Sequence, residues 1–178
     1  DAIDALVKPE SGTITVKGEE IQGTTPKTVI DHAVATIPSD RHRWGLVLPF
    51  TVAENMVLER HNEDTFGKGI ALDLAKIKEF SQKLIDEFDI RPAECSDHQA
   101  AGLSGGNQQK VIIGRWLLTD ADIYLFDEPT RGIDVGAKYE IYQIILDLAK
   151  KGKTVIVVSS EMTELLGITD RIAVDRKS

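Results

Sequence analysis

The sequence predicts an α/β fold with a parallel sheet, a small antiparallel β element near the N-terminus and an inserted helical subdomain. Residues 123–126 form a short, all-apolar run, and 154–159 (TVIVVS) has an apolar centre; both are typical of strands buried on both faces of a sheet. A helical pattern over about 136–150 separates the two runs, and this alternation of strand and helix implies parallel pairing. We therefore expect one domain over 1–178, with a mostly helical subdomain at about 51–120.

The first 50 residues predict short elements that are separated by proline and glycine. Proline lacks the amide that a continuing helix needs, and glycine permits tight turns. In order, the predicted elements are the end of a helix at 1–7, closed by Pro9; a strand at 13–17 that turns at Gly18 into a second strand at 19–21; a helix from Pro26 to about Ala33; a strand at 34–37; and a charged loop at 39–45.

The middle of the chain predicts helices joined by irregular segments. Thr51 and Glu54 have the spacing of a capping box, which starts a helix at 52–58. Residues 61–70 and 91–102 are predicted to be irregular. Six apolar residues at helical spacing predict a second helix over about 73–88; they are Leu74, Ile77, Phe80, Leu84, Ile85 and Phe88.

The last part of the chain predicts the remaining helices and strands. Ser104 can cap a helix that runs to about Leu118. The helix at about 136–150 ends at Gly152, since glycine is a frequent residue just beyond a helix C-terminus. A short helix at 161–166 and the start of a last strand at 171–174 follow.

The composition excludes several classes of protein. A formal net charge of −8 opposes nucleic-acid binding, because the phosphates of a nucleic acid require a basic surface. The single cysteine, Cys95, excludes an internal disulfide and fits a reducing, cytoplasmic setting. No signal peptide is recognised, and no apolar run approaches the roughly 20 residues of a membrane-spanning helix. We therefore expect a soluble chain that reaches a membrane through a partner.

The strongest local pattern is LSGGNQQK at 103–110. Its two glycines let a ligand approach the backbone closely. Ser104 caps the following helix, whose first amides and dipole favour a phosphate. Taken alone, Ser-Gly-Gly is better explained as an ordinary capped helix.

A second pattern places two acids at the end of an apolar strand. The run IYLFDEPT at 123–130 contains Asp127 and Glu128, and Pro129 then interrupts strand pairing. Ligands bind at the carboxyl ends of strands in open α/β sheets, so Asp127 is placed to hold Mg²⁺ and Glu128 to orient or deprotonate an attacking water. The alternative is a solvated turn, which leaves the costly placement of paired acids beside so apolar a strand unexplained.

In this order, and about 20 residues apart, the two patterns resemble the signature motif and the Walker B motif of the ATP-binding cassette (ABC) ATPases. RGID at 131–134 resembles the D-loop of that family, with Asp134 at its acidic position. SGGNQQKVIIGRWLL and DEPTRGIDVGAKYEIYQ resemble the second cassette of monosaccharide importers of the galactose type. SDRHRWGLV at 39–47 and VAENM at 52–56 fit this group and its nucleoside-importing relatives. The resemblance spans nearly all of the chain and implies a partial P-loop NTPase core.

The resemblance implies an ATPase that couples ATP hydrolysis to solute uptake, with ATP and Mg²⁺ as cofactors. Cassettes of this family close face to face, so the signature turn of one contacts ATP that is held mainly by the other. The implied partners are a second cassette, transmembrane permease subunits sensed by the loop near Ser39, and indirectly a solute-binding protein; this places the chain at the cytoplasmic face of the membrane. The implied site residues are the catalytic Asp127 and Glu128, with Asp127 also the metal ligand, and the nucleotide-binding Ser39, Ser104, Gly105, Gly106, Asn107, Asp134 and Ser160.

The sequence departs from the family pattern in ways that matter for activity. It contains no G-x-x-x-x-G-K-[ST] phosphate-binding loop (Walker A), and KGKT at 151–154 lacks the first glycine and leads into a strand. In the family that loop sits just before the position of Asp1, so we expect a truncated cassette that lacks a core strand, whose folding alone is not assured, and that is inactive alone. Ser160 stands where most ABC ATPases carry the switch histidine, and Ser39 replaces the usual acid or glutamine of the permease-facing loop.

Other interpretations remain open. The chain could be a non-catalytic, regulatory half that completes the ATP site of its partner, which Ser160 supports and Glu128 opposes. It could serve nucleosides rather than sugars, or belong to an ABC ATPase of DNA repair or translation, which the acidic balance disfavours. The histidines at 32, 42, 61 and 98 show no metal-ligand spacing, and Trp44 and Trp116 are interpreted as packing residues.

Overall fold

The computed structural model describes residues 2–60, 66–68 and 71–174. Short turns of π-helical or 3₁₀ type cover Arg41–Gly45, Cys95–Asp97 and Ala100–Gly102. The strands and helices, in chain order, are β1 Thr15–Val16, β2 Glu19–Glu20, α1 Pro26–Asp31, β3 Val34–Ile37, α2 Val52–Met56, β4 Gly67–Lys68, β5 Ala71–Leu72, α3 Leu74–Glu87, α4 Gly105–Leu117, β6 Ile123–Asp127, α5 Val135–Lys150, β7 Thr154–Val158 and α6 Met162–Ile168.

The sheet that positions the site is parallel, with the described strands in the order β3–β6–β7. Ile37 is aligned with Phe126, and Asp127 is aligned with Val158. The carboxyl ends of all three strands therefore meet at one edge. The predicted α/β fold with a parallel sheet and a small antiparallel element is confirmed, the latter as the β1–β2 pair that turns at Gly18 with φ +86°.

Helix α4 is the central helix of the core. Val111, Ile112 and Ile113 are fully buried, and α4 packs against β3, α2 and α5. Ser104 caps α4 as predicted, with its hydroxyl accepting the N–H of Asn107. The apolar face of α4 thus fixes where its N-terminal turn, and the signature pattern with it, lies relative to the sheet.

The loop after β3 is anchored by Asn55, which is fully buried on α2. Its Oδ1 accepts the N–H of Val47 at 2.8 Å, and its Nδ2 donates to the carbonyls of Val47 and Thr51, both at 3.0 Å. The predicted capping box is confirmed, since Thr51 Oγ1 accepts the N–H of Glu54 and Glu54 Oε2 accepts the N–H of Thr51. Because buried amides and carbonyls must be paired, Asn55 determines the path of the chain over 47–51.

Two expectations about the ends of the chain are wrong. Residues 2–5 form a turn, closed by the N–H of Ala5 and the carbonyl of Ala2 at 3.4 Å, rather than the end of a helix. Residues 171–174 have no strand partner among the described residues, and Val174 is 69% exposed. Among the described residues, neither segment has the hydrogen-bonded neighbours that a helix or a strand requires.

Three expectations inside the chain are also corrected. The segment 67–68 is not irregular, since β4 pairs with β5 in an antiparallel hairpin; 61–65, with His61, and 69–70 lie outside the described residues. Strand β7 is not buried on both faces, because it is the outer strand of the described sheet and leaves Val158 half exposed. Trp44 is 59% exposed, with the Arg43 guanidinium 4.9 Å from its ring centroid, whereas Trp116 packs in the core as predicted.

Among the described residues, no helix combines the length and the apolar character that crossing a bilayer requires.

Candidate functional site

The two acids of the DEPT segment lie where β6 ends beside β7. Asp127 is the last residue of β6 and pairs with Val158. Glu128 follows it, and its backbone N–H donates to the carbonyl of Val158 at 2.8 Å. Its carboxylate Oε1 accepts the N–H of Ser160, also at 2.8 Å. Glu128 is therefore attached to the end of β7 through its backbone and to the segment after β7 through its side chain.

Glu128 adopts a backbone conformation that is uncommon for a residue with a side chain. Its φ is +47°, in the left-handed region, where a non-glycine residue costs roughly 1–2 kcal/mol. Surrounding structure must over-determine such a conformation, and residues of this kind cluster at functional sites. The two hydrogen bonds to the β7 segment supply that constraint, so the position of the Glu128 carboxylate is built into the fold.

A cavity of about 640 Å³ opens at the carboxyl edge of the sheet, lined in part by Ser39, Asp40 and Asp127. These residues offer a hydroxyl and two carboxylates, the oxygen ligands that Mg²⁺ prefers. Among the described residues, no group of three or more His, Cys, Asp or Glu could hold a metal by itself. Mg²⁺ usually binds through one or two carboxylates together with substrate phosphates and water, so this donor set fits a metal that arrives with a nucleotide.

The signature turn is held by its own side chains. Asn107 Nδ2 donates to Ser104 Oγ at 2.9 Å, and Asn107 Oδ1 accepts the N–H of Arg91 at 2.9 Å. Ser104 is exposed, Gly105 is partly exposed and Gly106 is buried. Of the predicted nucleotide-binding residues in this turn, Ser104 and Gly105 present a surface, while Asn107 orients the Ser104 hydroxyl.

The signature turn touches the D-loop at Gly106. A Cβ added to Gly106 would lie 2.5 Å from the Cβ of Ala137 and 3.7 Å from Asp134 Oδ2. Asp134 caps α5 by accepting the N–H of Ala137 at 3.0 Å on its Oδ1. The N-termini of α4 and α5 are thus in direct contact, and Asp134 has a structural role as a helix cap in addition to the nucleotide contact that the sequence predicts.

Arg41 connects the loop after β3 to both of these motifs. Its Nη1 donates to the carbonyl of Arg131 at 3.0 Å, and its Nε donates to Gln108 Oε1 at 3.3 Å. Its Nη2 lies 3.0 Å from the position that a Cβ on Gly105 would take. Sequence patterns do not reveal this role, because a bridging arginine in a charged loop cannot be distinguished in the sequence from a solvated arginine.

The predicted site residues fall into two groups. One gathers at the carboxyl edge of the sheet, and the other at the facing N-termini of α4 and α5. The Ser160 side chain is exposed, and it is the backbone N–H of this residue that meets Glu128. The first group contains Ser39, Asp127, Glu128 and Ser160, and the second contains Ser104, Gly105, Gly106, Asn107 and Asp134.

Several known proteins are similar to this chain in sequence. A family profile described as "ABC transporter" matches residues 1–131. The galactose/methyl galactoside import ATP-binding protein MglA of Salmonella typhimurium is 48% identical over 175 residues, which cover 98% of this chain and 34% of that protein. The protein of the same name from Escherichia coli K12 is 47% identical over the same coverage. The chain thus spans about a third of the length of these curated relatives.

Solved structures show the same fold. A nucleotide-free ATP-binding cassette from an ABC transporter superposes with a TM-score of 0.73 and 21% identity, covering 95% of this chain and 67% of that one. A dimeric cassette in a post-hydrolysis state, bound to ADP and Pi, superposes with a TM-score of 0.70 and 22% identity, covering 90% of this chain and 68% of that one. The chain belongs to the ABC transporter family, and its fold is that of an ATP-binding cassette.

Proposed function

We propose that the protein containing this chain hydrolyses ATP to drive the import of simple sugars, and that the chain forms part of its second cassette. The observation that carries the proposal is Glu128, held beside Asp127 at the carboxyl edge of the sheet by one hydrogen bond to its carboxylate and one from its backbone N–H. The sugar class is supported by the relatives of 47–48% identity, which are named for galactose and methyl galactoside import.

The residues of the chain suit phosphoryl transfer to water. Mg·ATP supplies the γ-phosphoryl group when bound, and Asp127, with Ser39 and Asp40 in the same cavity, would hold the metal. Glu128 Oε1 is occupied by the Ser160 N–H, which leaves Oε2 as the atom that accepts a proton from the attacking water. The hydrogen bond to Oε1 orients the carboxylate before the reaction, so little reorganisation is needed.

The partners follow from the position of the signature turn. Ser104 and Gly105 are the accessible part of that turn, and in the proposed assembly they contact ATP held mainly by a second cassette. The phosphates would be held by residues outside this chain, whose sequence lacks the G-x-x-x-x-G-K-[ST] pattern. The Ser39–Arg43 segment, with the exposed Trp44 beside it, would meet permease subunits, which receive solute from a binding protein and place the chain at the cytoplasmic face of the membrane.

One observation favours a second candidate function, a non-catalytic half that only completes its partner's site. Ser160 offers a backbone N–H to Glu128, whereas its short, exposed side chain cannot contact a γ-phosphate as an imidazole would. In that case Ser104–Gly106 would serve the partner's ATP while the acids of this chain stay idle. The retained and constrained Glu128 favours the catalytic proposal.

Glu128→Gln in the whole gene product tests the choice between the two. The change keeps the shape of the side chain but removes the base, and general-base catalysis contributes about 10²–10⁴-fold. We expect ATP turnover at the site of this chain to fall at least about 100-fold. Glu79→Gln is the matched control, because Glu79 is exposed on α3, where it pairs with Lys83 at 2.9 Å. Wild-type turnover in Glu128→Gln would leave only the non-catalytic function.

The substrate class is tested by uptake into cells. Labelled galactose should accumulate in cells that express the wild-type protein with its partners, and Glu128→Gln should abolish that accumulation. Unlabelled galactose should compete and uridine should not. Competition by uridine without competition by galactose would shift the proposal to nucleosides.

A further inference from the structure

Glu164 is a buried carboxyl group that joins the loop after β6 to the loop after β7. It lies in α6 and is 4% exposed. Its Oε1 accepts the hydroxyl of Thr130 at 2.8 Å, and its Oε2 accepts the hydroxyl of Ser159. One side chain therefore uses both of its oxygens to bridge residues that are 29 positions apart in the sequence.

Both bridged residues are close to Glu128 or its partner. Thr130, which is 1% exposed, follows Glu128 by two residues, and Ser159 precedes the Ser160 whose N–H holds the Glu128 carboxylate. The loops after β6 and β7 are thus connected twice, once by Glu128 itself and once by Glu164. If the bridge made by Glu164 were lost, the hydrogen bond from Ser160 to the Glu128 carboxylate would be the one that remains of these side-chain links.

Packing alone does not explain the presence of a carboxyl group at Glu164. A carboxyl group is costly to bury unless it is hydrogen-bonded, and each oxygen of Glu164 accepts a hydroxyl. Tyr142 of α5 lies beside Thr130 and Glu164; burial raises the pKa of its phenol, and the nearby Glu164 carboxylate adds to that effect. An apolar residue would fill the same space between α5 and α6 without the cost of burying a polar group, so packing alone does not account for an acid at this position.

We propose that Glu164 is a positioning residue for ATP hydrolysis, which fixes the Glu128 carboxylate by holding Thr130 and Ser159 together. This inference rests on the proposed function of Glu128. It assigns Glu164 no contact with nucleotide or water. It requires that the two hydrogen bonds, rather than the charge or the volume of Glu164, are what matters.

The test uses Glu164→Met and Glu164→Gln in the whole gene product. Methionine has a similar volume but cannot bridge the hydroxyls, whereas glutamine can accept from one hydroxyl and donate to the other. Misplacing a catalytic group by about 1 Å can cost about 100-fold in rate. We expect kcat of Glu164→Met to fall about 100-fold with KM for ATP unchanged within about threefold, and Glu164→Gln to stay within about threefold of wild type.

Two further variants control for misfolding. Thr130→Val keeps the shape of Thr130 but removes one of the bridged hydroxyls, so it should lower kcat about tenfold even if Glu164→Met does not fold. Thr163→Val, at the exposed neighbouring position of α6, should change neither kcat nor KM. Equal losses in Glu164→Met and Glu164→Gln would show a role for charge and overturn the proposal.

Amide hydrogen exchange, measured by mass spectrometry on the same preparations, gives a readout that does not depend on turnover. Peptides that contain the Glu128 and Ser160 amides should exchange at least about tenfold faster in Glu164→Met than in Thr163→Val. Unchanged exchange and unchanged kcat in Glu164→Met would overturn the positioning role. Wild-type turnover in Glu128→Gln would instead overturn the proposed function, whatever the exchange result.

Discussion

Replacing Gly106 by alanine adds a methyl group where α4 and α5 are closest. The new Cβ would lie 2.5 Å from the Cβ of Ala137, about 1.0–1.5 Å closer than an ordinary carbon–carbon contact of about 3.5–4.0 Å. Overpacking of this kind costs about 1–3 kcal/mol, and replacing glycine by alanine in a helix returns at most about 1 kcal/mol. Because a contact this short requires the helices to shift, we place the cost in the upper part of that range, about 2–3 kcal/mol, and expect the free energy of unfolding to fall by about 1–2 kcal/mol.

The assay is urea unfolding of the chain, followed by far-UV circular dichroism, because the exposed Trp44 also contributes to the tryptophan fluorescence. A double-mutant cycle with Ala137→Gly isolates the contact, because that change removes the atom against which the new methyl group clashes. The double variant should recover the overpacking cost, about 2–3 kcal/mol, relative to the sum of the two single changes, because the helix-propensity terms cancel in the cycle. A neutral or stabilising Gly106→Ala, or strictly additive effects, would refute the explanation that close helix approach requires glycine here.

Two further predictions concern His32 and Arg41. The hydrogen bond to the Thr28 carbonyl, and to a lesser extent the one to Glu19, raises the pKa of His32 above 6.5. The protonated imidazole therefore stabilises the fold fully below about pH 6.5, and this contribution is lost as the pH rises through the folded pKa. His32→Gln should therefore flatten the pH dependence of the urea midpoint between about pH 6 and 8, and an unchanged dependence would exclude His32 as its source. Arg41→Lys removes the simultaneous hydrogen bonds to Gln108 and Arg131 and should lower the free energy of unfolding by about 1 kcal/mol. Arg43→Lys at the surface should lower it by less than about 0.5 kcal/mol. Equal effects would contradict a bridging role for Arg41.

The sequence predicted those parts of the site whose positions depend on neighbouring residues in the chain. The two acids follow an apolar strand, and the signature turn follows a capping serine, so the placement of each is determined within a few residues. Asp127 at the end of β6 and Ser104 as the cap of α4 are accordingly where the pattern put them. Whether they bind metal or nucleotide remains a prediction.

The contacts that sequence patterns missed are long-range and involve residues of ordinary type. Arg41 reaches Arg131, 90 positions away, and Glu164 reaches Thr130, 34 positions away. Neither residue is part of a periodic pattern, and each has the appearance of a solvated charge. Only the packing of α6 against α5, and of the loop after β3 against α4, turns them into bridges.

Ser160 illustrates a different limit. Comparing side chains at the switch position predicts a lost contact, since serine cannot replace histidine. The structure shows that Glu128 is held by the backbone N–H of this residue, which any residue except proline would provide. A substitution that looks decisive in the sequence therefore leaves part of the site intact.

The most direct test of the central claim, that this chain acts on phosphates held by another part of the assembly, is calorimetric titration of the purified chain with Mg·ATP. We expect no saturable binding heat up to about 1 mM nucleotide, because the signature turn and the acids alone supply too few phosphate contacts. Stoichiometric binding with a dissociation constant of about 10 μM or lower would mean that this chain holds the phosphates itself, and would contradict the claim.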